Sequence, residues 1–459
     1  MTASARSALA LTAAIFLGVA LMPRAPGSQW FRVALLVPVI LSAAWAALGT
    51  RVEQGLVTQK AYERVVEVAM WIGLIVFAWS LLQELDWLPP PILFAFGAVV
   101  CGGAAFAVSR SDGSRAFAVF IAAYLLVSLG VLAATRDELP NIDVALFQQD
   151  APDALLRAEN PYAMRFPDIY TPEQSAAFYG PGVSVNGELQ FGYPYPPLSL
   201  IAIIPFEVLL GDFRIAHALA LVATALVMSR IRPGPQSRRL AVLFLLVSPV
   251  FRVIRFGWIE PLLILAATLV VLGATRSLRA TPYLAGVLLS LKQYSALLLP
   301  ASLLLIERPW RLRSVVGFFA RAGIVVLATV LPFFLWNPGE FTWSVIELQF
   351  EQPFRPDSLS FMALWAELFG QPPRLVTSVL PLVIVVAISA AILLRTPSGA
   401  QGFALAAALT LLVAFAFSKQ AFSNYYILVI GLLFLGAAAG EEPAPDAASR
   451  LDGQIPEPV

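Results

Sequence analysis

The stretch PPLSLIAIIPFEVLL, Pro196 to Leu210, decides how this chain is threaded. It is apolar, yet shorter than the about 18 to 25 residues a helix needs to cross ~30 Å of hydrocarbon. If it crossed, Arg230, Arg232, Arg238 and Arg239, the densest basic cluster in the chain, would emerge on the outer side. Basic residues collect on the cytoplasmic side of membranes. The stretch therefore reads as a helix lying along the outer surface, and the inward crossing falls at 213–230.

Apolar runs upstream fall at 7–23, 29–49, 66–84, 90–109 and 115–134. Between them Arg6, Arg51, Lys60, Arg64, Arg110 and Arg115 share one side, and only Arg24, with Glu84 and Asp86, takes the other. The N-terminus is thus expected in the cytoplasm, with the first run an uncleaved helix rather than a signal peptide. Five crossings place the polar segment 135–195 outside. Downstream runs are 239–254, 257–275, a short pair 281–291 and 294–306, then 314–336, 374–394, 401–417 and 422–439. Arg276, Arg279, Arg308, Arg311, Arg313 and Arg395 then fall inside. The expectation is an all-α polytopic membrane protein with about 14 transmembrane helices. The tail from Glu441 is rich in Pro, Ala and acid and reads as disordered and cytoplasmic.

Composition agrees: 59% of the 459 residues are hydrophobic and 13% charged, where soluble domains carry roughly a quarter charged residues. Mean hydropathy is +0.79. The net charge of +1 gives no reason to expect nucleic acid as a partner. One cysteine, Cys101, allows no disulfide framework, and one histidine, His217, no histidine-clustered metal centre. No compact metal-ligand set is evident, and dependence on a divalent ion stays open. Acid–base chemistry falls to carboxylates, lysines and tyrosines.

The segment 135–195 carries Asp137, Asp143, Asp150, Asp153, Asp168 and Glu188 among many Pro, Tyr and Gly residues. Long loops in compact proteins are usually functional or disordered, and this composition argues for order. Asp143, nine residues beyond the fifth run, can accept a proton from a hydroxyl, being ionised at neutral pH at its ordinary pKa of about 3.9. A helix-capping aspartate is the competing reading, and Asp150 and Asp153 are alternative carboxylates. Tyr193 and Tyr195, in Gly192-Tyr-Pro-Tyr-Pro-Pro-Leu198, can stack on a sugar or simply anchor a rigid turn at the interface.

Arg252, Arg255, Trp258 and Glu260 sit at an outer boundary, where arginines break the charge trend. A guanidinium matches phosphate oxygens, so a lipid-linked phosphate is one reason and headgroup contact another. Lys292 and Gln293 lie at the polar turn of the short pair, whose arms are tolerated only where they line a cavity. Lys419, Gln420, Asn424 and Tyr425 precede the last run on the same face. Cations at three places on one face suggest a phosphorylated ligand. His217, alone near an outer helix end, reads as structural.

Taken together these stretches resemble the GT-C superfamily of membrane glycosyltransferases, most closely the branch using polyprenyl-phosphate-mannose as donor. The resemblance rests on Asp143 and Phe147, then Leu155-Leu-Arg-Ala-Glu-Asn-Pro-Tyr162; on Tyr195-Pro196-Pro197 opening a surface helix; and on Ala285-Gly286 before Lys292. It covers roughly 115–440. Ala158 replaces a usual glycine and Phe147 a usual tyrosine. The aspartate loop usually follows the first helix, so 1–114 reads as additional transmembrane helices, 115–440 as the GT-C-like catalytic core and 441–459 as the tail.

The resemblance implies an inverting glycosyltransferase with Asp143 as general base and Arg255, Lys292 or Lys419 stabilising the departing phosphate. Tyr162 joins the substrate-binding candidates through its motif. The implied partners are a polyprenyl-phosphate sugar (mannose favoured), a glycan, glycolipid or other hydroxyl acceptor, and the lipid bilayer. The implied location is a bacterial plasma membrane, with both termini cytoplasmic and the site on the outer side. A transporter or flippase would need internal repeats and mid-span charges, and neither stands out. An O-antigen ligase or polymerase would carry its large loop later in the chain. A non-catalytic scaffold is opposed weakly by the aromatic, proline-bounded loop.

Overall fold

The computed structural model describes residues 1–21, 29–49, 59–82, 95, 97, 99, 102–103, 113–136, 139–247 and 250–440. Helices make up nearly all of its regular structure. Among the described residues five helices are long and apolar enough to cross a membrane: Ala3–Ala20, Gln29–Leu48, Ser114–Ala134, Leu312–Trp336 and Leu375–Arg395. Six more apolar helices are only 10–17 residues long. Among the described residues helix length and composition support an all-α chain with these five candidate spans and not the expected count of about 14. Pro197–Leu210 is a single helix, started by prolines and ended by Gly211 in the left-handed conformation. At 14 residues it spans about 21 Å, short of ~30 Å of hydrocarbon. The run expected at 90–109 lies mostly outside the described residues, as do Cys101, Asp137 and the tail from Glu441.

The innermost helices are apolar all round. Nearly every residue of Ala400–Ala416 and Ser423–Ala439 is buried, and the two pack against each other. Ala3–Ala20 lies against both Leu36–Leu48 and Ser423–Ala439, so the N-terminal helices share the core of the C-terminal ones. Arg6 is buried there because its guanidinium donates to the terminal carbonyls of a neighbouring helix, Ala46 O, Ala47 O and Gly49 O, at 2.6, 3.0 and 2.9 Å. In contrast, Leu312–Trp336 and Arg374–Arg395 turn apolar side chains outward, Leu312 and Leu394 being about four-fifths exposed (79% and 81%), as helices facing lipid do.

The chain breaks where the short pair was expected. Thr281–Leu289 ends, Lys292 is extended, and Gln293–Leu305 continues as alternating 3-10 and α turns. Gly286 lets Thr281–Leu289 approach Leu312–Trp336 closely: a Cβ there would sit 2.4 Å from the Ala322 carbonyl oxygen.

The described part of the 135–195 segment folds as a module of its own. It contains the helices Asp143–Leu156 and Pro172–Phe178, the latter opened by a capping box between Thr171 and Gln174. A three-stranded antiparallel sheet pairs Phe166 with Leu189 and Ser184 with Leu189. A second apolar core, built on Phe147, Tyr162, Phe166, Tyr179, Phe191 and Tyr193, holds these pieces to Pro197–Leu210 and to 341–348. The segment 337–373 forms another loop on this side, joined to the module by the Arg165–Glu340 ion pair at 2.8 Å.

Candidate active site

A pocket of about 610 Å³ opens where these loops meet. Its wall takes Asp143 from the first helix of the module, Tyr170, Phe178 and Tyr179 from the segment after it, and Tyr195 from the turn before Pro197–Leu210. Trp258, Lys292, Gln420, Asn424 and Tyr425 line it from the helical bundle, and Arg355 and Asp357 from the 337–373 loop. Gln29 and Arg32 reach it from the second helix of the chain.

Asp143 occupies the first turn of its helix. Its Oδ1 accepts from the Val144 N–H at 2.7 Å and its Oδ2 from the Tyr179 hydroxyl at 2.6 Å. It is thus a helix-start carboxylate that also faces the cavity. Burial raises its pKa above the ordinary carboxylate value, while the Tyr179 and Val144 hydrogen bonds and the charge of Arg355 pull it down. Asp143 is the one of Asp143, Asp150 and Asp153 that lines the pocket.

Lys292 anchors the opposite wall. Its Nζ donates to Glu260 Oε1 at 2.6 Å, and both side chains are nearly inaccessible. Tyr294 and Asn424 each donate to the same oxygen at 3.0 Å. Glu260 Oε2 has no hydrogen-bond partner among the described residues. The ammonium sits 5.2, 5.1 and 5.0 Å from the ring centroids of Tyr195, Tyr294 and Tyr425, within cation–π range.

The remaining sequence candidates divide. Tyr162 and Tyr193 are fully buried supports: the Tyr162 hydroxyl donates to the Tyr195 carbonyl at 2.9 Å, and Tyr193 Oη lies 3.0 Å from Ser199 Oγ. Gly192 between them touches the Tyr162 backbone so closely that a Cβ would stand 2.2 Å from its oxygen. Gln293 donates to the Pro194 and Val345 carbonyls, holding the same turn. Trp258 stacks on Phe256 at 5.2 Å and faces the pocket. Arg255 lies 5.6 Å from the Phe256 ring centroid. The side chain of Arg252 is outside the described residues. Lys419 turns its ammonium onto the Phe350 and Gln352 carbonyls, and Gln420 donates to the Pro353 carbonyl while also lining the pocket. His217 is buried against Gln148, with 2.9 Å between Nε2 and Oε1.

Sequence reasoning missed Arg355, Tyr170, Tyr179, Gln29 and Arg32. A signal existed for Arg355. Like Arg252 and Arg255, it is an arginine in a segment that the charge trend of the sequence assigns to the outer side. Among the described residues no group of three or more His, Cys, Asp or Glu side chains could hold a metal ion.

In comparison with protein families, the model of glycosyltransferase family 87 matches residues 193–418. The match supports a glycosyltransferase, and the apolar helices support a membrane protein. No curated protein and no solved structure matches the chain. The matched span takes in Tyr195, Trp258, Glu260, Lys292 and Arg355 and leaves Asp143, Gln29 and Tyr425 outside it. A glycosyltransferase of this kind needs a base for the acceptor hydroxyl and positive charge near the leaving group. The pocket lining holds the carboxylates Asp143 and Asp357 and the cations Arg32, Lys292 and Arg355.

Proposed function

We propose that this protein transfers a sugar, with mannose favoured, from a polyprenyl-phosphate donor to an acceptor hydroxyl at the outer face of a bacterial plasma membrane. The observation that carries this reading is that Asp143 and Lys292, far apart in the chain, line one pocket of about 610 Å³.

In the proposed step Asp143 takes the proton of the acceptor hydroxyl. The acceptor oxygen attacks the anomeric carbon from the face opposite the phosphate, so the configuration inverts. The bond from the anomeric carbon to the phosphate oxygen breaks, and its electron pair leaves with the polyprenyl phosphate. Lys292 supplies positive charge at the pocket wall, and Tyr195 and Trp258 offer aromatic surface to a sugar ring. Gln420 and Asn424 add amide groups for its hydroxyls. Tyr179 orients the Asp143 carboxylate. The acceptor is a glycan, a glycolipid or another hydroxyl compound, and the donor's prenyl chain stays in the bilayer.

A transfer assay in membranes with a labelled polyprenyl-phosphate sugar tests this. Asp143→Asn should lower transfer about a hundredfold to ten-thousandfold, the usual worth of a general base, while the protein still inserts and folds. Wild-type transfer by that variant would sink the assignment.

A further inference from the structure

We infer that Arg355 is the oxyanion-binding group of this pocket, taking the donor's phosphate, and that Gln29, from the N-terminal helices outside the matched family segment, positions it. The inference rests on the transfer reading above and adds to it a phosphate subsite.

The cations near the pocket are not equivalent. Lys292 already has a buried carboxylate partner, Glu260. Lys419 spends its ammonium on two backbone carbonyls. Arg355 also has a carboxylate partner, Asp357, but that partner is exposed and leaves one guanidinium nitrogen unspent. Its guanidinium carbon lies 3.8 Å from the Phe178 ring centroid and 4.9 Å from that of Phe422, one ring from the external module and one from the start of the last helix. Asp357 accepts from Nε at 2.8 Å and Nη2 at 2.7 Å. Nη1 has no hydrogen-bond partner among the described residues. Asp357 is 60% exposed while the Arg355 side chain is 15% exposed, so water screens the partner's charge far more than that of the guanidinium. What results is a guanidinium held in one orientation, with one donor group left for a ligand. Its charge is already felt at Asp143 across the pocket.

The loop bearing it is clamped from several sides. The Arg355 N–H donates to the Lys419 carbonyl at 3.0 Å, and the Tyr426 hydroxyl to the Leu359 carbonyl at 2.6 Å. The third clamp comes from the N-terminal helices: Gln29 Nε2 donates to the carbonyls of Pro356 and Ser358 at 3.0 and 2.8 Å, on either side of Asp357. These helices thus hold the Arg355–Asp357 pair in place. A phosphate oxygen gains negative charge as the glycosidic bond breaks, and a pre-set guanidinium stabilises that charge without reorganising.

The test uses the full chain in nanodiscs of zwitterionic lipid and three probes: a short-chain polyprenyl phosphate, the matching polyprenol and inorganic phosphate. Arg355→Gln should weaken polyprenyl phosphate binding by about ten- to a hundredfold, as expected for a hydrogen bond to a charged group, and leave polyprenol binding unchanged. Arg355→Lys should fall between. Gln29→Ala should raise the donor KM and weaken polyprenyl phosphate, and should add little in the double variant with Arg355→Gln, since both act through one group. Unchanged polyprenyl phosphate affinity in Arg355→Gln, an equal loss for polyprenol, or full additivity of the two losses would overturn the inference. Inorganic phosphate competing as tightly as polyprenyl phosphate would overturn the lipid-linked ligand. Asp143→Asn serves as the separating control: it should bind polyprenyl phosphate normally and fail to transfer. Transfer by that variant sinks the base assignment, while the binding arm still judges Arg355.

Discussion

Lys292 and Glu260 form a buried ion pair, Nζ to Oε1 at 2.6 Å, at the point where the short helix pair breaks. Tyr294 and Asn424 add two hydrogen bonds to the same carboxylate oxygen, tying the break to Glu260–Thr275 and to the last helix. Removing one partner of such a pair leaves a buried charge uncompensated, at a cost of roughly 3–5 kcal/mol. Glu260→Gln should therefore lower the thermal midpoint of the detergent-solubilised protein markedly. The double variant Lys292→Met with Glu260→Leu should recover most of that stability without recovering transfer. Equal stability of the single and double variants would show that the pair is not buried in the working protein.

Asp143 should set the acid limb of the pH–rate profile. The base is active when ionised, so kcat/KM should rise with pH through a pKa above the ordinary carboxylate value, as burial dictates. Tyr179 donates to the ionised carboxylate and lowers that pKa. Tyr179→Phe removes the donor, so the limb should move to higher pH. An unmoved limb, or one displaced to lower pH, would contradict the contact.

Gly192 has no room for a side chain beside the Tyr162 backbone. Gly192→Ala should destabilise the external module by about 2 kcal/mol or more. Because Tyr162 also supports the Tyr195 carbonyl, the fraction that folds should show a raised donor KM. Limited proteolysis of the module alongside donor kinetics checks both parts, and a wild-type digestion pattern would count against it.

Lys419 donates to carbonyls of the 337–373 segment, so its loss should act through that segment. Lys419→Ala removes its side-chain bonds to the Phe350 and Gln352 carbonyls. Losing about one hydrogen bond's net worth should raise the donor KM about fivefold with kcat little changed. A large loss of kcat with an unchanged KM would place Lys419 in the chemistry instead.

Much of the architecture was legible because membrane spans obey a one-dimensional rule. A helix of sufficient apolar length satisfies its own backbone, and loop arginines report its direction. Pro196–Leu210 and the break at Lys292 could be read this way, since each is a departure from that rule. Asp143 stood out as a carboxylate in a long outer segment. Arg355 carries the same charge-trend mark as Arg252 and Arg255 but sits alone in a shorter segment, and nothing local marks Tyr179, which follows a seven-residue helix.

The sequence by itself determined an apolar helical chain and a long polar segment carrying Asp143, because lipid solvation acts on each stretch separately. Tertiary structure decided which polar groups meet. It paired Lys292 with Glu260, turned Lys419 onto carbonyls, buried Tyr162 and Tyr193 as supports, and brought Arg355 and Gln29 into the pocket that Asp143 lines. Such choices follow from which buried charges and donors find partners across long sequence separations. Pairwise electrostatics and packing settle that only once the loops have closed over one another.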